Sequence, residues 1–380
     1  MTGGTLDIRN GTAANEVEDN IDIITLGPGN GYDFTIAALN NFGAANTTST
    51  INFNSTGGFQ AINSLTINAP VLSIGGGTDN ALFVRGATML AGNTSLNAGR
   101  SLVLGGKIDG AGAVVTKLGG SFLYLSNTDR GAGANNVAGW QVLQGTVEVR
   151  LSQGGSNPLG NGTTIQINGG NLNLRHDGDN LSDPQVLDTF ITNNLLVGSL
   201  AAVTSSDYMG SANTTLDART LSGANNKTLQ LGQLQFGGPL GTAFLSYNAG
   251  NTYSIEFTGG LSMVKDAALS FNQHNITISG NITGNGTLFK QGGAELDINT
   301  AATGNDPFGG TILANGATYF ASWQGNTRTL NETAKLQGGN ITIQPNASLR
   351  FNEITNLNGA QLVDVRSNLS SMGLIGIGDN

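Results

Sequence analysis

The sequence predicts an all-β chain wound into a parallel β-helix, or β-solenoid, that forms a single elongated rod. Three observations support this fold class: an unusual composition, a long internal repeat, and a rhythm of short alternating strands. Of 380 residues, 58 are glycine and only 11% are charged, yet 38% are hydrophobic. Abundant glycine with regularly spaced Leu, Ile and Val is typical of many short strands joined by tight turns around a long, thin core.

One stretch of about twenty residues occurs twice. Its copies, at 106–125 and 280–298, share Gly-x-Ile-x-Gly-x-Gly, then a lysine, a Gly-Gly pair and an alternating apolar strand, with one residue gapped before the lysine. Since the copies begin at positions 106 and 280, the chain has a long period of roughly 170 residues. Internal periodicity of this kind favours a solenoid over a compact fold.

A second marker, a Gly-Gly pair followed by an alternating strand, begins at Gly3, Gly169 and Gly338. Its two intervals, from position 3 to 169 and from 169 to 338, agree with the period of the repeated stretch. We therefore predict three segments along the chain: a first solenoid array over 1–168, a diverged copy over 169–337, and a partial repeat with the C-terminal coil over 338–380.

Short segments of alternating apolar and polar residues follow one another along the chain. They lie at 64–67, 71–74, 82–84, 101–104, 146–149, 163–167, 228–231, 254–257, 275–278 and 347–351. Alternation places one set of side chains on each face of a strand. Gly-Gly and Asn-Gly pairs between the segments accept positive φ and permit sharp corners, so we expect coils of roughly 20–25 residues.

The charge and the cysteine content limit the binding partners and the cellular location that we expect. The net charge is −9, and the 16 Lys and Arg residues form no basic stripe, which excludes nucleic acid as an expected partner and disfavours an anionic membrane surface. No apolar run approaches the roughly 20 residues that a membrane-spanning helix needs, so we expect no membrane insertion. The absence of Cys suits a chain that is exported, and we predict an extracellular or cell-surface location.

The repeated stretch resembles the passenger-associated transport repeat, also called the autotransporter-associated β-strand repeat. That family's pattern has Gly-x-Gly, an apolar residue, Lys, Gly-x-Gly and a Leu-x-Leu strand, and the similarity covers roughly 106–174 and 280–343. In this chain the second glycine pair is adjacent, at 119–120 and 292–293. The resemblance implies a right-handed parallel β-helix on a bacterial surface, similar to an autotransporter passenger.

The polar stretch around residues 175–184 is the strongest candidate for a metal site. Asp177, Asp179 and Asp183, with His176 beside them, place oxygen ligands close together in a loop that leaves the stack. Such ligands suit Ca²⁺, although the spacing is not that of an EF-hand. A solvated acidic loop explains the same residues, and apart from calcium the sequence predicts no cofactor.

Two further groups of charged residues have structural explanations. The cluster Glu16, Glu18, Asp19 and Asp22 either binds cations or forms a solvated edge that caps the first coil. The second group consists of Lys117 and Lys290, which occupy matched positions in the repeated stretch. Recurrence at a matched position indicates a structural role, such as forming a corner or donating a hydrogen bond to a backbone carbonyl.

No enzymatic signature is present, and we predict that the protein is not an enzyme. Polysaccharide-processing β-helices need carboxylates clustered on one face, whereas here each strand carries at most an isolated one: Asp7, Glu148, Glu256 and Asp297. The glycine-rich pieces of the repeat do not open a helix, so they are not phosphate-binding loops. Four aromatic residues form either a sugar-binding platform or the filling of coil ends and corners: Trp140, Tyr319, Phe320 and Trp323.

The sequence predicts a structural or adhesive protein of a bacterial surface. Stacked coils give a stiff rod, and its open ends are expected to associate with neighbouring copies into a filament or sheath. A host or matrix glycan or protein is a further expected partner. The alternative is a carbohydrate-binding or carbohydrate-cleaving β-helix, such as a phage tailspike-like module.

Overall fold

The structure is a computed structural model that describes part of the chain. The described residues are 4–8, 33–36, 48–53, 58–76, 80–126, 133–151, 155–176, 186–198, 214–219, 225–237, 243–298, 311–314, 317–320, 340–343, 348–351, 368–371 and 374–377. Within these ranges the regular elements are β-strands, and none is a helix. Accordingly, this part of the chain contains no helix with the length and apolar character to span a membrane.

The chain divides into two compact units, Met1–Ile165 with Gly170–Ser182, and Gln166–Gly169 with Asp183–Asn380. In chain order the strands up to the end of the first unit are β1 (Gly4–Ile8), β2 (Asp33–Ile36), β3 (Thr48–Phe53), β4 (Gly58–Ile62), β5 (Ser64–Ile67), β6 (Val71–Gly76), β7 (Asn80–Val84), β8 (Thr88–Leu90), β9 (Thr94–Ala98), β10 (Ser101–Leu104), β11 (Ile108–Asp109), β12 (Val114–Leu118), β13 (Phe122–Leu125), β14 (Gly139–Val142), β15 (Thr146–Leu151), β16 (Thr164–Ile167) and β17 (Asn171–His176).

The strands that follow belong to the second unit. They are β18 (Val186–Leu187), β19 (Asn194–Gly198), β20 (Thr214–Arg219), β21 (Thr228–Leu231), β22 (Leu234–Gly237), β23 (Ala243–Ala249), β24 (Ser254–Phe257), β25 (Leu261–Met263), β26 (Ala267–Phe271), β27 (Ile276–Ile278), β28 (Ile282–Gly284), β29 (Thr287–Gln291), β30 (Leu296–Ile298), β31 (Thr311–Ala314), β32 (Ala317–Phe320), β33 (Asn340–Ile343), β34 (Ser348–Phe351), β35 (Asn368–Ser371) and β36 (Leu374–Ile377).

The first unit is a stack of coils whose strands form three parallel ladders. Ladder I runs β1-β3-β6-β9-β12-β14, ladder II runs β4-β7-β10-β13-β15-β17, and ladder III runs β2-β5-β8-β11. From β5 to β13 the chain visits ladders III, I and II in turn. From β3 onward on ladders I and II, paired residues such as Ala81 with Ser101 and Thr146 with Asn171 are separated by the predicted coil length. The first coils are longer, since Gly4 pairs with Ser49 and Asp33 with Ser64.

The core of the first unit consists of aliphatic side chains stacked in register. Every second residue of a strand points inward, as the alternating burial of β10 and β13 shows. Two interior columns follow ladder II: Leu82–Leu102–Leu123–Val147–Leu172 and Ile62–Val84–Leu104–Leu125–Val149–Leu174. None of these side chains is more than 2% exposed, and each contributes roughly 1.5–3 kcal/mol of burial free energy.

The second unit is built in the same way, and its coils also differ in length. Ladder IV runs β19-β22-β25-β28, ladder V runs β20-β23-β26-β29-β31-β33-β35, and ladder VI runs β18-β21-β24-β27-β30-β32-β34-β36. Its interior columns on ladder VI are Leu229–Ile255–Ile276–Leu296 and Leu231–Phe257–Ile278–Ile298. Leu195 pairs with Leu234, a separation well beyond the predicted coil length, so the connections of this coil are longer than expected.

These observations confirm the predicted fold class, because each unit is an all-β stack of parallel strands wound as a solenoid. The right-handed winding and the arrangement of the whole chain as a single rod stay predictions. The division into arrays at 1–168, 169–337 and 338–380 also stays a prediction, since compactness does not test where a repeat begins.

Candidate functional site

The two copies of the repeated stretch build the same local structure. The first copy forms β11, β12 and β13, and the second forms β28, β29 and β30. Each copy therefore contributes three successive strands and the two corners between them. The shared lysine is the fourth residue of the middle strand in both copies, at Lys117 and Lys290.

Lys117 occupies an interior position, in register with Leu96 and Val142 of the neighbouring coils. Its side chain is fully buried, and burial lowers the pKa of its ammonium group to about 8 because water no longer solvates the charge. The ammonium group bends into the corner after the strand. Its Nζ atom donates hydrogen bonds to the carbonyl oxygens of Leu118 (2.7 Å), Gly119 (2.6 Å) and Gln144 (3.1 Å).

Lys290 repeats this arrangement in the second unit. It is fully buried, and its Nζ atom donates to the carbonyl oxygens of Gly292 (2.6 Å) and Ala294. The same atom lies 4.8 Å from the ring centre of Phe271 in the preceding coil. Burial lowers the pKa of Lys290 to about 8, and the nearby Glu295 opposes the shift. The interpretation of the two lysines as corner residues that satisfy carbonyls is thus confirmed.

The glycine after each of these strands is required by the stacking of coils. Gly119 has φ +74° and Gly292 has φ +88°, a region that side-chain-bearing residues rarely adopt. A Cβ atom at Gly119 would lie 2.6 Å from the carbonyl oxygen of Ala98, and one at Gly292 would lie 2.1 Å from that of Phe271. The corner of one coil therefore rests directly on the backbone of the coil before it.

The predicted calcium ligands Asp177, Asp179 and Asp183 lie outside the described residues, so this site stays a prediction. The neighbouring His176 does not belong to such a loop. It ends β17, pairs with Leu151 and is fully buried, because the alternation of the strand continues through it and turns it inward. Within the described ranges, no group of three His, Asp or Glu residues is placed to hold a metal ion.

The structure describes only some of the other candidate site residues that the sequence suggested. Trp140 is buried, and its Nε1 atom donates a hydrogen bond to the carbonyl oxygen of Leu159 at 2.8 Å, so it fills the interior and is not part of a sugar-binding platform. The structure does not describe the side chains of Tyr319, Phe320 and Trp323. It also does not describe the cluster Glu16, Glu18, Asp19 and Asp22, or the side chain of Asp7.

Ladder II carries an aromatic and ionic cluster on its outer face that the sequence did not reveal. We call it the Arg–Tyr surface and define it as Phe122, Tyr124, Glu148, Arg150, Asn173 and Arg175. The rings of Phe122 and Tyr124 are stacked, with centroids 5.3 Å apart and an interplanar angle of 7°. The guanidinium carbon of Arg150 lies 4.3 Å from the centroid of the Tyr124 ring, a distance at which a cation is attracted to an aromatic face.

Glu148 connects the strands of this surface. Its carboxylate accepts from Arg150 Nε at 2.7 Å and from Asn173 Nδ2 at 3.2 Å, and it lies 3.6 Å from Arg175 Nη2. Two guanidinium groups therefore contact one carboxylate. Burial raises the pKa of Tyr124, the charge of Glu148 adds to the shift, and Arg150 opposes it. The Arg150 side chain remains 43% exposed, so one edge of the cluster is open to solvent.

A second polar cluster lies on the outer face of ladder VI. Glu256 and Asp297 occupy one column, separated by Thr277, although the sequence alone presents them as isolated. Glu256 accepts hydrogen bonds from Gln230 at 2.8 Å and from Ser279 at 2.7 Å. The nearly equal spacing of positions 256, 277 and 297 is the only sequence signal of this alignment.

Asp297 is a buried carboxylate of this column. Only 5% of the residue is exposed, and burial, followed by the charge of Glu295, raises its pKa to about 7. Hydrogen bonds from Thr277 and Asn275 oppose the shift. The carboxyl group is thus part of a hydrogen-bonded face whose charge changes near neutral pH.

Comparisons with protein-family models, with curated proteins and with solved structures each gave no match. The resemblance to the passenger-associated transport repeat therefore stays a prediction drawn from residues 106–174 and 280–343.

The corner lysine is tested by Lys117→Met, which keeps the length of the side chain and removes the donor. We expect a loss of about 3 kcal/mol in the free energy of unfolding, measured by urea titration, because three partly buried hydrogen bonds to carbonyl oxygens are lost. Lys107→Met, at a partly exposed position between β10 and β11, is the matched control and should change little. Equal stability of Lys117→Met and the wild type would contradict a corner role, since the ammonium group would then contribute nothing net.

The buried carboxyl group is tested by the pH dependence of Asp297→Asn. The pKa of Asp297 in the folded chain, about 7, exceeds its ordinary value of 3.8, so the folded state retains a proton that the unfolded state releases between these values. Stability therefore falls as pH rises through this window. We expect Asp297→Asn to be more stable than the wild type at pH 8, by up to about 4 kcal/mol, and nearly equal at pH 4.

The matched control for Asp297→Asn is Asp188→Asn, which alters an exposed carboxylate of the same unit. Thermal unfolding of both variants at the two pH values separates burial from a general effect of net charge. A stability difference for Asp297→Asn that is the same at pH 4 and pH 8 would contradict the raised pKa.

Proposed function

We propose that the protein is a structural or adhesive component of a bacterial surface, exported and displayed as an extracellular β-solenoid. The observation that carries the proposal is the difference between the two faces of each strand, one aliphatic and buried, the other polar. Inward positions form aliphatic columns closed by corner lysines, while polar and ionic side chains collect on the outer faces of ladders II and VI. A scaffold of this kind offers long, regular surfaces for contact.

Self-association into a filament or sheath is part of the proposal. A parallel ladder leaves backbone donors and acceptors unpaired along its outermost strand, which is a template for pairing with another chain. Among the described strands, eight pair along one edge: β1, β2, β4, β11, β18, β28, β35 and β36. Of these, β1, β2 and β4 come first in the chain, and β35 and β36 come last. Contacts between such edges would join copies head to tail, a heterologous interface that generates open filaments.

The assembly is tested by negative-stain electron microscopy and sedimentation over a range of protein concentrations. We expect end-to-end assemblies that lengthen with concentration. Ile375→Pro in β36 removes a backbone N–H from an outermost strand and should shorten them, whereas Met89→Lys, at a position 46% exposed on ladder III, should not. Monomers at every concentration, or equal shortening by both variants, would contradict assembly through the ends.

A second candidate function is the binding or cleavage of carbohydrate, as in a tailspike-like module. The column of Glu256 and Asp297 favours it, because two strand spacings separate the carboxylates by roughly 9–10 Å, near the separation in inverting glycosidases. Both groups are engaged in hydrogen bonds and at most 5% exposed, and we propose that they are structural. Release of reducing sugar from a polysaccharide, abolished by Glu256→Gln, would instead establish an enzyme.

A further inference from the structure

We propose that the Arg–Tyr surface binds a polysaccharide that carries carboxylate groups, such as a uronic acid polymer. The proposal rests on the adhesive role proposed above and names its ligand class and its surface. Three successive strands, β13, β15 and β17, present the surface on one outer face of the first unit. Their parallel spacing of about 4.8 Å makes a flat face suited to an extended chain.

The charged groups of the surface suit an anion. As defined, the surface holds two guanidinium groups, those of Arg150 and Arg175, and one carboxylate, that of Glu148. The Nε edge of Arg150 faces Glu148, and the exposed part of its side chain offers the remaining donors to solvent. The planar guanidinium group is suited to bidentate recognition of a carboxylate, so an incoming uronic acid group would bind at this open edge.

The remaining groups of the surface favour a sugar over other anions. The edges of the stacked Phe122 and Tyr124 rings offer apolar area beside a phenolic hydroxyl. The Asn173 amide, two strands away on β17, offers a donor and an acceptor. Two guanidinium groups are too few for a nucleic-acid backbone, whose affinity comes from many phosphate contacts. The rings lie against each other and against Arg150, so they do not form the apolar centre of a protein interface.

Binding is tested with polygalacturonate as the probe, in isothermal titration at low and moderate salt. The wild type should bind polygalacturonate and should not bind the same polymer after its carboxyl groups are reduced to alcohols. Arg150→Gln should weaken binding about tenfold, the loss expected for one charge-assisted hydrogen bond. Lys107→Gln removes the same charge elsewhere in the unit and should change affinity less than about twofold.

Glu148→Gln provides a test that does not depend on loss of function. It removes the carboxylate that competes for both guanidinium groups, so affinity for polygalacturonate should rise several-fold. Unchanged or weaker binding by this variant, with its fold retained by circular dichroism, would overturn the assignment of the site. Equal losses for Arg150→Gln and Lys107→Gln would also overturn it, since attraction would then come from diffuse charge.

Three further outcomes test this inference, and the last two separate it from the proposed function. Equal affinity for polyphosphate would show a general anion surface and overturn the choice of polysaccharide. No binding of polygalacturonate by the wild type would overturn the inference alone if the protein still formed end-to-end assemblies. Absence of both binding and assembly would count against the structural and adhesive role as well.

Discussion

The direct stacking of one coil on the next is the constraint on which the structure depends. Parallel pairing requires each corner to lie on the backbone of the coil before it, which leaves no room for a Cβ atom at Gly119 or Gly292. At these corners several carbonyl oxygens have no strand partner and need another donor. Lys117 and Lys290 supply these donors from inside the coil. The parallel ladder, the corner glycine and the lysine therefore depend on one another.

This constraint also decides where the chemistry of the protein lies. Inward positions are filled by stacked aliphatic residues, and the outer faces bring together side chains that lie one or two coils apart in the sequence. Glu148 meets Arg175 in this way, and Glu256 aligns with Asp297. Because each outer cluster draws on two or three strands, it forms only when the register is correct. The proposed ligand binding at such a face therefore requires an intact solenoid.

The sequence was sufficient for the fold class, the coil length of most of the first unit and the role of the matched lysines, since each depends on a local pattern. Alternation identified the inward residues, and recurrence identified the corner. It was not sufficient for the outer clusters, because coil lengths vary and the register between coils cannot be counted from the chain. His176 shows the same limit: its polar neighbours indicated a loop, but strand alternation carries it into the core beside Leu151.

The account depends most directly on the register of neighbouring coils, and the absence of native Cys allows a clean measurement of it. Thr116 and Gln141 face each other across ladder I, where Thr116 Oγ1 donates to Gln141 Oε1 at 3.2 Å. We predict that Thr116→Cys with Gln141→Cys forms an intramolecular disulfide on mild oxidation, because adjacent parallel strands lie within the span of that bond. Val71→Cys with Thr116→Cys, two coils apart, should not. Oxidation of the second pair, or of neither pair, would contradict the stacked solenoid described here.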